Sequence, residues 1–314
     1  MVLAFVLGVA ATLFRTDLKF PDELYTALTI YLLFAIGLKG GYKLSNTPFT
    51  ELWMPLLAAL LLGVLIPLWT YPILRSLGGF DVQNAAALAA HYGSVSAVTF
   101  NAAMAMLDGQ GVPYEGFLPS LLAVMEIPAI LVAVLLARRA LERRGGAERV
   151  GSTGAMLREL LAGKSTVLLG GSLLVGLAAG STGWEQVAPL FDDPFRGVLT
   201  LFLLDAGLVT GRRLGDLRKA GGFLIGFGIL MPLAHAALGI LAGKFAGLSP
   251  GGSTILGVLA ASASYIAAPA AVRVALPNAN PTYYLTASLA ITFPFNIIVG
   301  LPLYRLFTAW VFGQ

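Results

Sequence analysis

LAAHYGSVSAVTFNAAM (88–104) and LAASASYIAAPAAVRVALP (259–277) sit inside long apolar runs, yet neither reads as an unbroken helix. Each opens Leu-Ala-Ala, passes through a run of small hydroxyl residues, and carries a helix-disrupting residue, Gly93 in the first and Pro269 in the second. In hydrocarbon every backbone polar group needs a protein partner, so an interrupted helix is tolerated only where it is buried or lines a water-filled cavity. Two interruptions facing each other would make a polar spot in oil. Half-helix N-termini present unpaired N–H groups with partial positive charge, which suit a small anion; freed carbonyls and hydroxyl oxygens suit sodium. The available hydroxyls are Ser94, Ser96, Thr99, Ser262 and Ser264. The plainer alternative is that they bond to their own helix backbone and ease helix packing.

The rest of the chain supplies the membrane around these stretches. Of its 314 residues 57% are hydrophobic and only 11% charged, with mean hydropathy +0.83, against roughly 25% charged in soluble domains. That excludes a soluble enzyme, a disordered chain and a nucleic-acid binder. The absence of cysteine excludes disulfides, thiol catalysis and Cys-ligated metal. Ten segments are apolar and long enough to count as candidate crossings, at about 1–14, 22–38, 52–74, 82–107, 116–138, 165–180, 196–211, 221–243, 253–275 and 282–311. The first has no preceding basic residues and no clear cleavage site, so it reads as a helix, not a signal peptide. Fifteen of the 20 basic residues fall in alternate loops beginning after the first segment; only Lys39, Lys43, Arg196, Lys244 and Arg305 fall in the other set. The positive-inside rule then places both termini outside and the basic linker 138–164 in the cytoplasm, and the net charge of +4 reads as topology.

The two sides of that linker match in order: AFVLGVAA (4–11) with SLLVGLAA (172–179), AIGL (35–38) with DAGL (205–208), GVLIPL (63–68) with GILMPL (228–233), and EIPAILVAVLLARR (126–139) with TFPFNIIVGLPLYR (292–305). Five crossings per half is odd, so the second repeat is inverted. The expected fold is an all-α polytopic membrane protein, a 5+5 inverted repeat over 1–137 and 165–314, with its two broken helices crossing near the midplane, as in secondary transporters.

Two acids fall near mid-span, Glu126 and Asp205. A charge there costs at least about 2.5–3.5 kcal/mol on insertion scales, so each should face protein or water. Glu126 precedes Pro128, whose ring frees a carbonyl, and the pair could offer oxygens to a cation. The histidines, His91 and His235, have no acidic cluster and make a poor metal site, so no transition metal and no organic cofactor is expected. Ser94 or Ser96 with His235 would suit an intramembrane serine protease, but hydroxyls duplicated in both halves suit a symmetric binding site better than a single nucleophile. Asn278, Asn280 and Pro281 mark a turn into the last segment, and Asn101 and Asn296 are uncharged polar groups that could border the site.

At these residues the chain resembles the sodium-dependent bicarbonate transporters of cyanobacteria and their bacterial relatives. The resemblance rests on Gly93, Val95, Ser96 and Thr99, on Glu126-Ile127-Pro128, on DPFRG (193–197), on PLAH (232–235), and on AASAS with Arg273 and NANP. It implies gate and core domains each built from both repeats, a homotrimer in the inner membrane, and sodium-coupled bicarbonate uptake by an elevator-like movement. A PII-like regulatory partner is implied too, although the linker is shorter here than in the cyanobacterial members. Positions carried over from the family's sites are Gly93, Ser96, Thr99, Ser262 and Ser264, and Glu126 completes the expected sodium set. The expected anion set is Ser94, Ser96 and Ala97 with Ser264, Tyr265, Ile266 and Ala267. Tyr265 stands where the cyanobacterial transporters have Asp, which leaves another small anion or carboxylate as the alternative substrate.

Overall fold

A computed structural model describes residues 1–143 and 151–314. The basic-linker residues Arg144 and Arg149 lie outside the described residues. Among those described there is no strand. The helices are α1 (Val2–Leu13), α2 (Asp22–Ser45), α3 (Phe49–Ser76), α4 (Val82–Gly93), α5 (Ala97–Gly109), α6 (Leu118–Met125), α7 (Pro128–Glu142), α8 (Thr153–Ala162), α9 (Lys164–Phe191), α10 (Phe195–Arg213), α11 (Leu217–Phe245), α12 (Pro250–Ala261), α13 (Ala267–Ala275) and α14 (Pro281–Phe312). Among the described residues six stretches are long and apolar enough to cross a membrane: α2, α3, α6 with α7, α9, α11 from Gly221, and α14.

Local chemistry sets the boundaries. Asp22 and Glu23 open α2 and Lys43 closes it, each complementing the helix dipole. Pro128 has no amide proton to give, so the helix stops at Met125 and restarts as α7. Asn280 caps α14 through the Thr282 amide (2.9 Å), with Pro281 as first helical residue, which is the turn expected at LPNANP. α9 breaks at Gly180, the expected end of the segment, where φ 60° and ψ −154° suit a residue without Cβ, and a second helical stretch follows the kink to Phe191. The expected linker 138–164 is largely helical in its described parts: α7 reaches Glu142, and α8 buries Met156 and Leu160 as it packs on α13.

The helices pack in two groups. In the first, α1 lies along α10 and α2 along α9, and glycines bring the backbones together. A Cβ on Gly8 would lie 3.0 Å from the Gly207 Cα, and one on Gly176 would lie 3.0 Å from the Leu38 Cα. In the second group α3, α6, α7, α11 and α14 surround the short helices α4 and α12. Every residue of α4 is buried, as are Gly251–Ala261 of α12. The outer helices turn large apolar residues outward, among them Leu60 and Leu65 on α3, Leu174 and Val175 on α9, and Leu230 and Phe245 on α11. That surface is too apolar for water and suits lipid.

Candidate functional site

The chain leaves helical geometry at Ser94 to Ser96, between α4 and α5, and again at Ser262 to Ile266, between α12 and α13. The two interruptions bond to each other. The Ser96 amide donates to Ser262 Oγ (2.9 Å), and the Ser264 amide donates to the His91 carbonyl (2.8 Å). Each restarting helix is capped by a serine: Ser96 Oγ accepts from the Thr99 amide (3.2 Å) and Ser264 Oγ from the Ala268 amide (3.2 Å). The earlier amides of each first turn, Ala97 and Val98 in α5 and Ile266 and Ala267 in α13, have no acceptor within their own helix.

These ends converge on one narrow cleft, lined by Val95, Ser96 and Ala97, by Ser264, Tyr265, Ile266 and Ala267, by Leu122 and Glu126, and by Ser165 and Leu169. About 10 Å³ of it is open to the centre of a water molecule, near the least that one water needs. Glu126 is the sole ionisable carboxylate among the described lining residues, and no Lys or Arg joins it. Its carboxylate accepts hydrogen bonds from Ser165 Oγ and from Thr166 Oγ1 (3.4 Å), while its backbone carbonyl accepts one from Ser94 Oγ (2.8 Å). The Tyr265 hydroxyl is buried beside Ser96, and no hydrogen bond of normal geometry satisfies it.

The other expected residues stand behind this lining. Gly93 ends α4, where a Cβ would lie 2.6 Å from Ala129 Cβ and 2.8 Å from Pro67 Cδ; glycine is there for close approach. Ser94 is spent on the Glu126 carbonyl, Thr99 Oγ1 on Ser96 Oγ (3.1 Å), and Ser262 Oγ on the Leu259 carbonyl (2.8 Å). Asn296 donates to the Ala261 carbonyl (3.0 Å) and accepts from the Tyr304 hydroxyl (2.7 Å), steadying the end of α12. Asn101 is buried with its Oδ1 unpaired. Asp205 is buried on α10, within electrostatic reach of Tyr25 and away from the cleft lining. His235 accepts from Trp69 Nε1 (3.0 Å), and His91 Nδ1 bonds the Ala87 carbonyl (2.7 Å), so neither is bonded to Ser94 or Ser96. Sequence reasoning missed Val95, Leu122, Ser165 and Leu169 as lining residues. A Ser-Thr pair opening an apolar run, just after Lys164, was the available signal for Ser165.

A family model described as the Na+-dependent bicarbonate transporter superfamily matches residues 1–309. The chain belongs to that superfamily. No curated protein matches it. A second, larger cavity of about 540 Å³ lies between α2 and α10 on one side and α5 and α6 on the other, and shares no lining residue with the cleft. Its rim carries Lys39 paired with Asp192 (2.6 Å) and Arg196 with Asp108 (3.5 Å), and DPFRG supplies Asp193, Phe195 and Arg196. Tyr114 donates to Asp108 Oδ1 (2.8 Å); burial, and then the Asp108 carboxylate, push its hydroxyl above the ordinary tyrosine range, so it stays a donor.

Proposed function

We propose that the protein carries bicarbonate into the cell together with sodium. The observation that carries this reading is the convergence of two restarting helix N-termini on a cleft with one carboxylate and no basic side chain. The amides of Ala97, Ile266 and Ala267 and the hydroxyls of Ser96, Ser264 and Tyr265 hold the anion. Glu126 and the oxygens of Ser96 and Ser264 hold sodium, with Gly93, Thr99 and Ser262 shaping the two turns behind them, and Ser94 fixing the kink that carries Glu126. Bound sodium supplies the full positive charge, so no Arg is needed. A 1:1 cycle is electroneutral and draws about 1.4 kcal/mol per tenfold sodium ratio; each further sodium adds about 2.3 kcal/mol per 100 mV.

In this reading the ten segments form an inverted repeat, with both termini outside and the described parts of 138–164 in the cytoplasm. Its support is the exchange between halves: α1 pairs with α10 and α2 with α9, so the first helix of each repeat lies along the second helix of the other. The glycines matched in sequence, Gly8 with Gly176 and Gly37 with Gly207, all stand at these close approaches. The α1, α2, α9, α10 group acts as a fixed gate, and the group around α4 and α12 as the core that slides against it. A homotrimer holds the gate in place. The cleft's narrowness agrees with a site that must open before bicarbonate enters.

Another small anion or carboxylate is the second reading, favoured by Tyr265 standing where the cyanobacterial transporters have Asp. Labelled bicarbonate uptake into proteoliposomes, with sodium or potassium outside, decides between them. Sodium-dependent uptake that falls at least tenfold in Glu126→Gln, Ser96→Ala and Ser264→Ala supports the first reading. Equal uptake in potassium ends the coupling claim, and sodium-dependent uptake of labelled formate or acetate that bicarbonate does not inhibit moves the substrate.

A further inference from the structure

Glu126 is tied in two directions at once. Its backbone carbonyl is held by Ser94, in the first interruption, and its carboxylate is held by Ser165 and Thr166, in the first turn of α9. Glu126 and Ser165 are each 6% exposed, so water does not compete for the bond between them. The two serines belong to different packing groups: Ser94 to the group around α4, and Ser165 to the helix that runs along α2. A carboxylate beside the first turn of α9 also faces the positive end of that helix's dipole. Leu122 of α6 and Leu169 of α9, each one turn along its helix from Glu126 or Ser165, line the same cleft. Both carboxylate oxygens that a cation in the cleft would use are therefore already engaged by the opposite group.

We propose that Ser165 and Thr166 are positioning residues of the transport site: they hold the Glu126 carboxylate against α9 while the cleft lacks sodium, and an entering sodium ion takes over the same oxygens. Cation binding then severs the polar tie between the α4/α12 group and α9. No bond is made or broken covalently, and no proton moves; the carboxylate exchanges two hydroxyl donors for one cation. The inference rests on the sodium-coupled reading above. It adds that Ser165 and Thr166 oppose sodium binding and are not sodium ligands.

The test uses the full chain in lipid nanodiscs, with radiolabelled sodium binding as the first readout. Ser165→Ala/Thr166→Val removes both competing donors, so sodium affinity rises about tenfold, the effect of losing hydrogen bonds to a charged group; Ser165→Thr keeps a hydroxyl and stays near the parent value. The chain has no cysteine, so Leu122→Cys/Leu169→Cys reports the α6–α9 approach without background. Cross-linking of that pair falls several-fold when sodium replaces potassium, and is already low without sodium when Ser165→Ala is added. An unchanged or reduced sodium affinity in Ser165→Ala/Thr166→Val, or cross-linking indifferent to sodium, overturns the inference. If the double variant does not fold, Ser165→Ala alone is read by the same criteria. Absence of sodium binding in the parent protein overturns coupled transport and this inference together; binding without the affinity shift overturns this inference alone.

Discussion

The two interruptions share a plan and differ in materials. Each is capped by a serine, and each donates one amide across to the other. The first is three residues long and is closed by glycine: Gly93 packs against Pro67 and Ala129, and Ser94 reaches the Glu126 carbonyl. The second is five residues long and leaves room for a phenol. Its proline, Pro269, is the third residue of α13, where its missing amide proton costs no helical bond, and Asn296 holds the carbonyl of the preceding helix end. Shared features place the amides, whereas the differences set what faces the cleft: Glu126 of the α6–α7 junction, whose carbonyl the first break holds through Ser94, and Tyr265 within the second break. The largest expected effect tests the tighter of the two. Gly93→Val drives a branched side chain into Pro67 and Ala129 and costs about 3 kcal/mol or more. Ala263→Val, at a buried position in the longer second interruption, costs less. Thermal unfolding of the two variants in detergent checks the ranking, and equal losses would mean that the first break is no more tightly packed than the second.

A middle-sized effect separates the two clamps. Asn296→Ala leaves both the Ala261 carbonyl and the Tyr304 hydroxyl without their partner, a loss of about 2–3 kcal/mol; Ser94→Ala orphans only the Glu126 carbonyl, about 1–2 kcal/mol. Thermal unfolding again reads the stability. Sodium titration of uptake adds a second axis: Ser94→Ala shifts sodium half-saturation, because it loosens the kink carrying Glu126, and Asn296→Ala shifts it less. A larger sodium shift in Asn296→Ala would place the cation at the second break.

Much of this arrangement was legible in the sequence because membrane chemistry is restrictive. A glycine or proline amid hydroxyls within an apolar run has few uses besides an interruption, and the structure places interruptions within residues 88–104 and 259–277. Five hydroxyls were singled out on that ground, and of these Ser96 and Ser264 line the cleft. Division of labour among the hydroxyls was not legible. Ser94 and Ser262 look like Ser96 and Ser264 in the sequence, yet their side chains serve backbone carbonyls, and only three-dimensional crossing decides which serine faces inward. Ser165 was hidden for a similar reason: a hydroxyl at a helix start reads as a cap, and its partner lies 39 residues away. The helical stretch that follows the kink at Gly180 and runs to Phe191 was not read either, because STGWEQVAPLF is less apolar than the spans and carries a proline near its end.

The smallest effect addresses what the second break contributes. Tyr265→Phe removes one buried hydroxyl that has no regular hydrogen bond, while its ring keeps the edge-to-face packing against Phe293 at 5.4 Å. A structural role for that hydroxyl would make its removal costly. Because it is unsatisfied, deletion should leave stability unchanged within about 0.5 kcal/mol or raise it slightly. A role toward the anion predicts a different pattern: half-saturation for the anion rises about tenfold or more, the worth of one hydrogen bond to a charged ligand, while sodium half-saturation stays within about twofold. Tyr265→Phe therefore divides anion from cation at the level of one oxygen atom. If the sodium constant moves and the anion constant does not, the phenol belongs to the cation, and the assignment of Glu126 to sodium and the second break to the anion must be redrawn.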